Sequence, residues 1–293
     1  MQRTHRIGRF WQNGPLLLII ATFFFTGMGA CVKAAAAANI PLFQIVFVRS
    51  IVSALILGVL LPCRRIPYRG KNQMMLISRA LAGSLAIGCN FYGLGQLPFG
   101  DATVLLLTFP VFLVILSFFV LGERPTPRLI LLITIAWIGI ILVLRPQFGV
   151  FNWAGLIMLL AAVFSAFDVM TIHIAKRTDP ALRIAFYLTA GASVFSLPFM
   201  LMDYVMPTGS GWLYLIGAGL FGTVAQILIS QAYGLGEISR LSPISYLSVV
   251  NSFALGVIIW HEIPAWLSLG GALIIVVCCT FIIRLEKAEP LAD

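Results

Sequence analysis

Of 293 residues, 60% are hydrophobic and only 10% carry a formal charge, against roughly 25% charged in ordinary soluble domains. So few charges cannot cover the surface of a soluble protein of this length; the chain is long enough for a large core, but that core must face lipid. The net charge of +9, from 19 Lys and Arg against 10 Asp and Glu, lies in short gaps between apolar runs. A nucleic-acid partner would need basic residues clustered with aromatics on one solvated face, so the pattern argues for membrane topology instead.

A helix that crosses the roughly 30 Å hydrocarbon core needs about 20 mostly apolar residues. Ten such runs are predicted in chain order: 15–35, 41–61, 74–95, 99–121, 127–145, 153–173, 182–203, 212–234, 241–260 and 266–284. The first is too long, and too poorly followed by a cleavage pattern, to be a signal peptide. Apolarity at the helical period excludes a β-barrel, whose strands would alternate. The connections carry breakers: Pro62, Pro98, Pro125, Pro146, Pro180, Pro207 and Pro264. With a cytoplasmic N-terminus, 15 of the 19 cations fall on the inner side, Lys33 and Arg145 on the outer, and Arg49 and Arg79 inside spans. That positive-inside bias predicts a multi-pass protein of the bacterial inner membrane with both termini cytoplasmic. Cys31, Cys63, Cys89, Cys278 and Cys279 have no metal-ligand spacing, and no metal site or cofactor is expected.

The chain repeats itself. Phe91-Tyr92-Gly93-Leu94-Gly95-Gln96 recurs as Ala232-Tyr233-Gly234-Leu235-Gly236-Glu237 at an offset of 141, and Gly122-Glu123-Arg124-Pro125 matches His261-Glu262-Ile263-Pro264 at an offset of 139. Two five-span units result, 1–148 and 149–293. Five is odd, so the second must enter the membrane upside down. Inverted repeats with a site between the halves are a recurring transporter architecture; duplication of a plain scaffold is the alternative.

Here the sequence resembles a known family, the EamA-type ten-helix branch of the drug/metabolite transporter superfamily. The residues that carry the resemblance are Leu97-Pro98-Phe99-Gly100-Asp101-Ala102, Gly122-Glu123-Arg124-Pro125 and Val143-Leu144-Arg145-Pro146 in the first half. In the second half they are Ala232-Tyr233-Gly234-Leu235-Gly236-Glu237, Ser242-Pro243 and Glu262-Ile263-Pro264. The resemblance covers nearly the whole chain and implies an all-α integral membrane protein, with two inverted five-helix repeats around a central cavity. It also implies use mostly in export of amino acids and related metabolites. One departure is Trp260-His261, where the family usually has a small residue.

Charges present in only one copy of the repeat need a reason beyond the scaffold. Arg49 in the second span and Asp168 in the sixth are unmatched, and each costs about 2.5–3.5 kcal/mol on insertion scales. Either residue lines a watery cavity, or Arg49 snorkels outward and Asp168 reaches Lys176. A direct Arg49–Asp168 bridge is not favoured, because the two sit at different depths. Arg79 is expected to snorkel to the inner surface. Gln226, Ser230 and Tyr233 share a face of the eighth helix within about 60°. Ser245, Tyr246, Ser242 and Ser252 cluster on the ninth, Ser165 stands one turn from Asp168, and Asn90 and Asn251 add amides. Each is either a substrate contact or helix–helix glue. Pro110 in the middle of the fourth span and Pro243 at the start of the ninth permit kinks for gating or for static packing. Gly93, Gly95, Gly234 and Gly236 read as paired caps or hinges. Glu123 and Glu262, shared by both copies, are assigned to the scaffold.

These features predict a secondary transporter, not an enzyme, that works by alternating access on an amino acid or related amine or organic acid; the export direction is what the resemblance implies and is not read from the residues. Arg49 would hold a carboxylate, and Asp168 an ammonium group or a coupling proton. No P-loop for ATP appears. The alternatives are a membrane-embedded enzyme acting on lipids, an uptake or exchange carrier for a nucleoside-like or cationic metabolite, and a non-transporting scaffold. His5, His173 and His261 are too scattered to support an enzyme. The expected partners are a small-molecule substrate and the bilayer, with no nucleic acid; the sequence leaves monomer and homodimer equally open.

Overall fold

The computed structural model describes residues 14–109, 111–112, 115–116, 127–144, 153–175, 178–235 and 245–288. Among them are ten helices and no strand: α1 Gly14–Ala37, α2 Leu42–Cys63, α3 Gln73–Gln96, α4 Phe99–Leu106, α5 Pro127–Leu144, α6 Trp153–Ala175, α7 Ala181–Met202, α8 Gly209–Leu235, α9 Leu247–Trp260 and α10 Trp266–Ala288. Six of them, α1, α2, α3, α6, α7 and α8, are long and apolar enough to cross a membrane. Large apolar side chains such as Leu55, Leu81, Val194, Leu213 and Ile258 stand exposed on the outside of the bundle, where only lipid would accept them.

The helices end where backbone chemistry ends them. Pro41, Pro98 and Pro180 stand immediately before α2, α4 and α7, positions where a missing N–H costs nothing. Asn72 caps α3 by accepting the Met75 N–H at 3.3 Å. Asn39 and Arg65 close α1 and α2 in the left-handed region, at φ 59° and 58°. In each case the next N–H returns to a carbonyl of the last turn, Ile40 to Ala35 and Ile66 to Leu61. Pro62, read from sequence as part of a connection, instead lies in the last turn of α2. The helix continues past it because the carbonyls there can be met by the cap, where the Arg64 and Arg65 N–H groups donate.

The fourth predicted span is broken. α4 stops at Leu106, with Leu107 and Thr108 in a turn before helical residues resume. Pro110 lies outside the described residues, but the break falls at Leu106, four residues before it. That is the carbonyl a proline cannot bond and its ring would crowd.

The most extensive packing is α1 on α8, α3 on α6, α2 on α7, and α5 on α10, with α4 against α9. Small residues set the closest crossings. A Cβ on Gly271 would stand 2.7 Å from the Gly139 carbonyl oxygen, and backbone cannot give way cheaply. Gly271→Ala should therefore part α5 from α10 at a cost of about 1–3 kcal/mol. A thermal midpoint in detergent equal to that of the parent would contradict this.

The loops at one end of the bundle are clasped by Asp179. Its carboxylate accepts from Arg183 Nη1, Thr178 Oγ1 and the N–H groups of Lys71 and Asn72, while Arg183 Nε donates to the Pro67 carbonyl at 2.8 Å. Arg183, counted above as an inner-loop cation, is thus a buried part of the first turn of α7. Burial opposes the charge on Asp179, but these hydrogen bonds prevail and hold its carboxyl below the usual carboxylate range. A depressed folded value means stability that is full above the unfolded value near about pH 4 and is lost as pH falls through the lower folded value. Thermal midpoints from pH 7 down to 3 should fall for the parent. They should start lower and stay flatter for Asp179→Asn; parallel curves would count against the clasp.

Candidate functional site

A cavity of about 160 Å³ opens between α1, α3, α4, α6, α8 and the start of α9. Its position follows from the broken span. The non-helical turn at Leu107 forms part of the wall, and irregular backbone at membrane depth is tolerated where it lines such a space. The wall is largely apolar, with Leu18, Phe25, Phe109 and Ile229 among its residues. Thr22, Ser165, Gln226, Ser245 and Ser248 contribute neutral polar groups, and Arg79 and Asp168 are the charged residues among those lining it.

Those two charges are paired. Arg79 Nε donates to Asp168 Oδ1 at 3.0 Å, and Arg79 Nη1 donates to the Ile184 carbonyl of α7. The expectation that Arg79 snorkels to the surface is corrected. Its side chain is 1% exposed whereas that of Asp168 is 17% exposed, so the guanidinium stands behind and the carboxylate faces the cavity. The reason is local. One turn after Arg79, Gly83 has no side chain, and Asp168 Oδ1 lies 3.1 Å from where its Cβ would be. The acid can therefore approach α3 and hold the arginine inside. The side-chain hydrogen bond to Asp168 falls on Oδ1, so a cation reaching Oδ2 from the cavity would complete the bonding of the carboxylate.

The other sequence candidates divide. Asp168, Gln226 and Ser245 line the cavity together. Arg49 of α2 is buried against α3 and α8, its Cζ 5.8 Å from the Phe91 ring, with Nε and Nη1 lacking a hydrogen-bond partner among the described residues. Asn90 and Ser230 are buried, and among the described residues Asn90 Oδ1, Ser230 Oγ and Nδ2 of half-buried Asn251 have no hydrogen-bond partner. Tyr246 is buried in the main apolar core. Ser252 accepts from Thr103 at 2.8 Å and ties α4 to α9, an example of glue between helices. α3 runs through Gly93 and Gly95 to Gln96 and α8 runs through Gly234 to Leu235, so Gly93 and Gly234 do not cap helices. At Gly93 the need is space, since a Cβ would meet Met158 Sδ at 2.8 Å. Pro110, Pro243 and the side chain of Tyr233 lie outside the described residues.

At the far end of the bundle, where α1, α3 and α9 finish, stands a second charged cluster. Lys33 Nζ bridges to Glu262 Oε1 at 2.7 Å and donates to the Leu97 carbonyl at 2.7 Å, while Glu262 Oε2 accepts the Phe99 N–H at 2.7 Å. The Trp260 ring packs on Phe99 at 5.7 Å and lies 5.6 Å from Lys33 Nζ. Lys33, read as an outer-side cation, is therefore buried and paired. His261, with φ 54°, makes the reversal that turns Glu262 back towards α1 and α4. That reversal is what the departure from a small residue at this position has to accommodate. Reading each half alone missed this cluster, because its members lie in both halves.

A model described as the EamA-like transporter family matches residues 12–145 and again 152–284. The chain is 28% identical over 278 residues to the pseudopaline exporter CntI of Pseudomonas aeruginosa, covering 94% of this chain and 98% of the relative. It is 27% identical over 252 residues to an S-adenosylmethionine uptake transporter of Rickettsia prowazekii, covering 84% of each. A riboflavin transporter of Vibrio cholerae is 29% identical over 194 residues, 66% of this chain and 65% of that one. A solved crystal structure superposes with a TM-score of 0.68 at 19% identity, over 94% of this chain and 99% of the other.

Proposed function

Because this chain belongs to the EamA-like transporter family, and is thus a multi-pass membrane transporter of small molecules and not an enzyme, we propose that it is a secondary exporter of amine-bearing metabolites, amino acids and their derivatives foremost. The observation that carries this reading is the carboxylate of Asp168, the one acidic group among the described cavity-lining residues, held by Arg79 through Oδ1 and presented to a largely apolar cavity. A cationic group would bind there and an apolar body would fill the rest. The kinship over nearly full length with a protein named as an exporter supports the direction.

In this reading ten helices span the bacterial inner membrane as two inverted repeats, with both termini cytoplasmic. The packing pattern supports it. Exchanging α1–α5 with α6–α10 turns the α1–α8 pair into the α6–α3 pair, and returns α2–α7, α4–α9 and α5–α10 to themselves. That is what a pseudo-two-fold axis requires. The cavity then opens on the cytoplasmic half, and the Lys33–Glu262 cluster is the outer seal of an inward-facing state.

The test is a thermal-shift screen of purified protein against amino acids, polyamines and nucleosides, followed by counterflow of the best hits in proteoliposomes. Stabilisation and flux restricted to compounds with a cationic nitrogen are expected. Hits confined to anionic or neutral compounds, or no flux above empty liposomes, would defeat the proposal.

A further inference from the structure

Four cations are buried among the described residues: Lys33, Arg49, Arg79 and Arg183. Three have a carboxylate and a carbonyl as partners. Lys33 bonds Glu262 and Leu97, Arg79 bonds Asp168 and Ile184, and Arg183 bonds Asp179 and Pro67. Arg49 differs. It is 1% exposed, and its Nε and Nη1 have no partner among the described residues. Burying a charge without pairing it is among the costliest arrangements a fold can keep, and in a membrane bundle water offers little relief.

The surroundings point to what would pair it. The guanidinium lies against Gly222 of α8, where an added Cβ would stand 3.0 Å from Arg49 Nε, 3.3 Å from Nη2 and 3.0 Å from Met28 Sδ. Gly222 precedes Gln226 by one helical turn, and Met28 follows Phe25 by nearly one turn; Gln226 and Phe25 both line the cavity. Arg49 therefore stands about 5 Å beyond the cavity, one turn of helix, on the side away from Asp168. Along α3, the residue beside Asp168 is Gly83 and the residue beneath Arg49 is Phe91. Eight residues make about 12 Å of helix.

We propose that Arg49 is a carboxylate-binding station on the transport path, one helical turn beyond the cavity, so that the transported metabolite carries a carboxylate set well apart from the cationic group held at Asp168. This rests on the transport reading above and narrows its substrate class to extended zwitterions. The planar guanidinium turns its Nε–Nη2 edge towards Gly222, and that edge is one that can take a carboxylate by two parallel hydrogen bonds.

The probe is sodium acetate, titrated against sodium chloride at equal ionic strength, with acetamide as the uncharged match in shape. The readout is the thermal midpoint of the detergent-purified chain. A saturable rise with acetate alone is expected in the parent. The midpoint concentration should be at least about tenfold higher in Arg49→Gln, equal to 1.4 kcal/mol, with Arg49→Lys between the two. Gly222→Ala, which keeps the charge but crowds Nε, provides a second variant should Arg49→Gln not fold, and it too should weaken the acetate effect. No saturable acetate effect in the parent, an equal effect in the variants, or the same effect from acetamide would overturn the proposal. An acetate effect without counterflow of any metabolite would instead defeat the transport reading alone.

Discussion

Asp168→Asn is expected to abolish the response of flux to a pH gradient in proteoliposomes and to weaken binding of cationic compounds by tenfold or more. The physical basis is that Asp168 presents the one carboxylate among the described cavity-lining residues, with one oxygen tied to Arg79 and the other open. Such a group can exchange a proton for a substrate cation as the two compete for it. Removing one partner of a buried ion pair costs about 3–5 kcal/mol because the other charge is left uncompensated, so the single variant should also be less stable. The double variant Arg79→Gln/Asp168→Asn separates the two effects. With neither charge present, much of the thermal midpoint should return, while the gradient response stays absent. A gradient response intact in Asp168→Asn would end the assignment of Asp168 as the coupling group. Recovery of that response in the double variant would show that Asp168 acts through stability alone.

The second large effect is expected at the Lys33–Glu262 cluster, proposed above as the outer seal. Glu262 ties Lys33 of α1, the first N–H of α4 and the end of α9 into one cluster. Glu262→Gln keeps its shape but removes the charge that pairs with Lys33. The Glu262 side chain is 25% exposed, so solvent screens the pair and its loss should amount to about 1 kcal/mol at most. Since about 1.4 kcal/mol is tenfold in an equilibrium constant, the outward-open population should rise by up to roughly fivefold. A cysteine placed at Ser252, buried beside Thr103, would report this through its labelling rate by an impermeant thiol reagent from outside, measured on a background lacking the native cysteines. Unchanged labelling in Glu262→Gln would mean that the cluster does not gate access. Lys33→Met should act in the same direction, while leaving Glu262 free to hold the Phe99 N–H.

Much of the fold was legible because lipid imposes simple rules. The predicted runs 15–35, 41–61, 74–95, 153–173 and 182–203 fall within two residues of α1, α2, α3, α6 and α7 at every end, since length and apolarity alone set a spanning helix. The fourth run was less legible. Its apolar pattern continues past Leu106, and only the backbone demand of Pro110 hints at the break that becomes the wall of the cavity. Within the site, Asp168, Gln226 and Ser245 could be picked out as polar groups in apolar spans, and they do line one cavity. Tyr246 fits the same pattern but is buried in the apolar core, because a stripe on a helix does not say which neighbour it faces.

By itself the sequence determined an all-helical membrane chain, its kinship, and the two unmatched charges Arg49 and Asp168. These follow from local quantities: hydropathy along the chain, the spacing of breakers, and the cost of an ion in hydrocarbon. Tertiary structure alone decided the pairings. Arg79 rather than a loop cation meets Asp168, Lys33 meets Glu262 across 229 residues of chain, and Arg49 Nε and Nη1 are left without a hydrogen-bond partner among the described residues. The energy of a charge in a bilayer depends on what lies within a few ångströms of it, and in a bundle of long helices that neighbour comes from a distant part of the sequence.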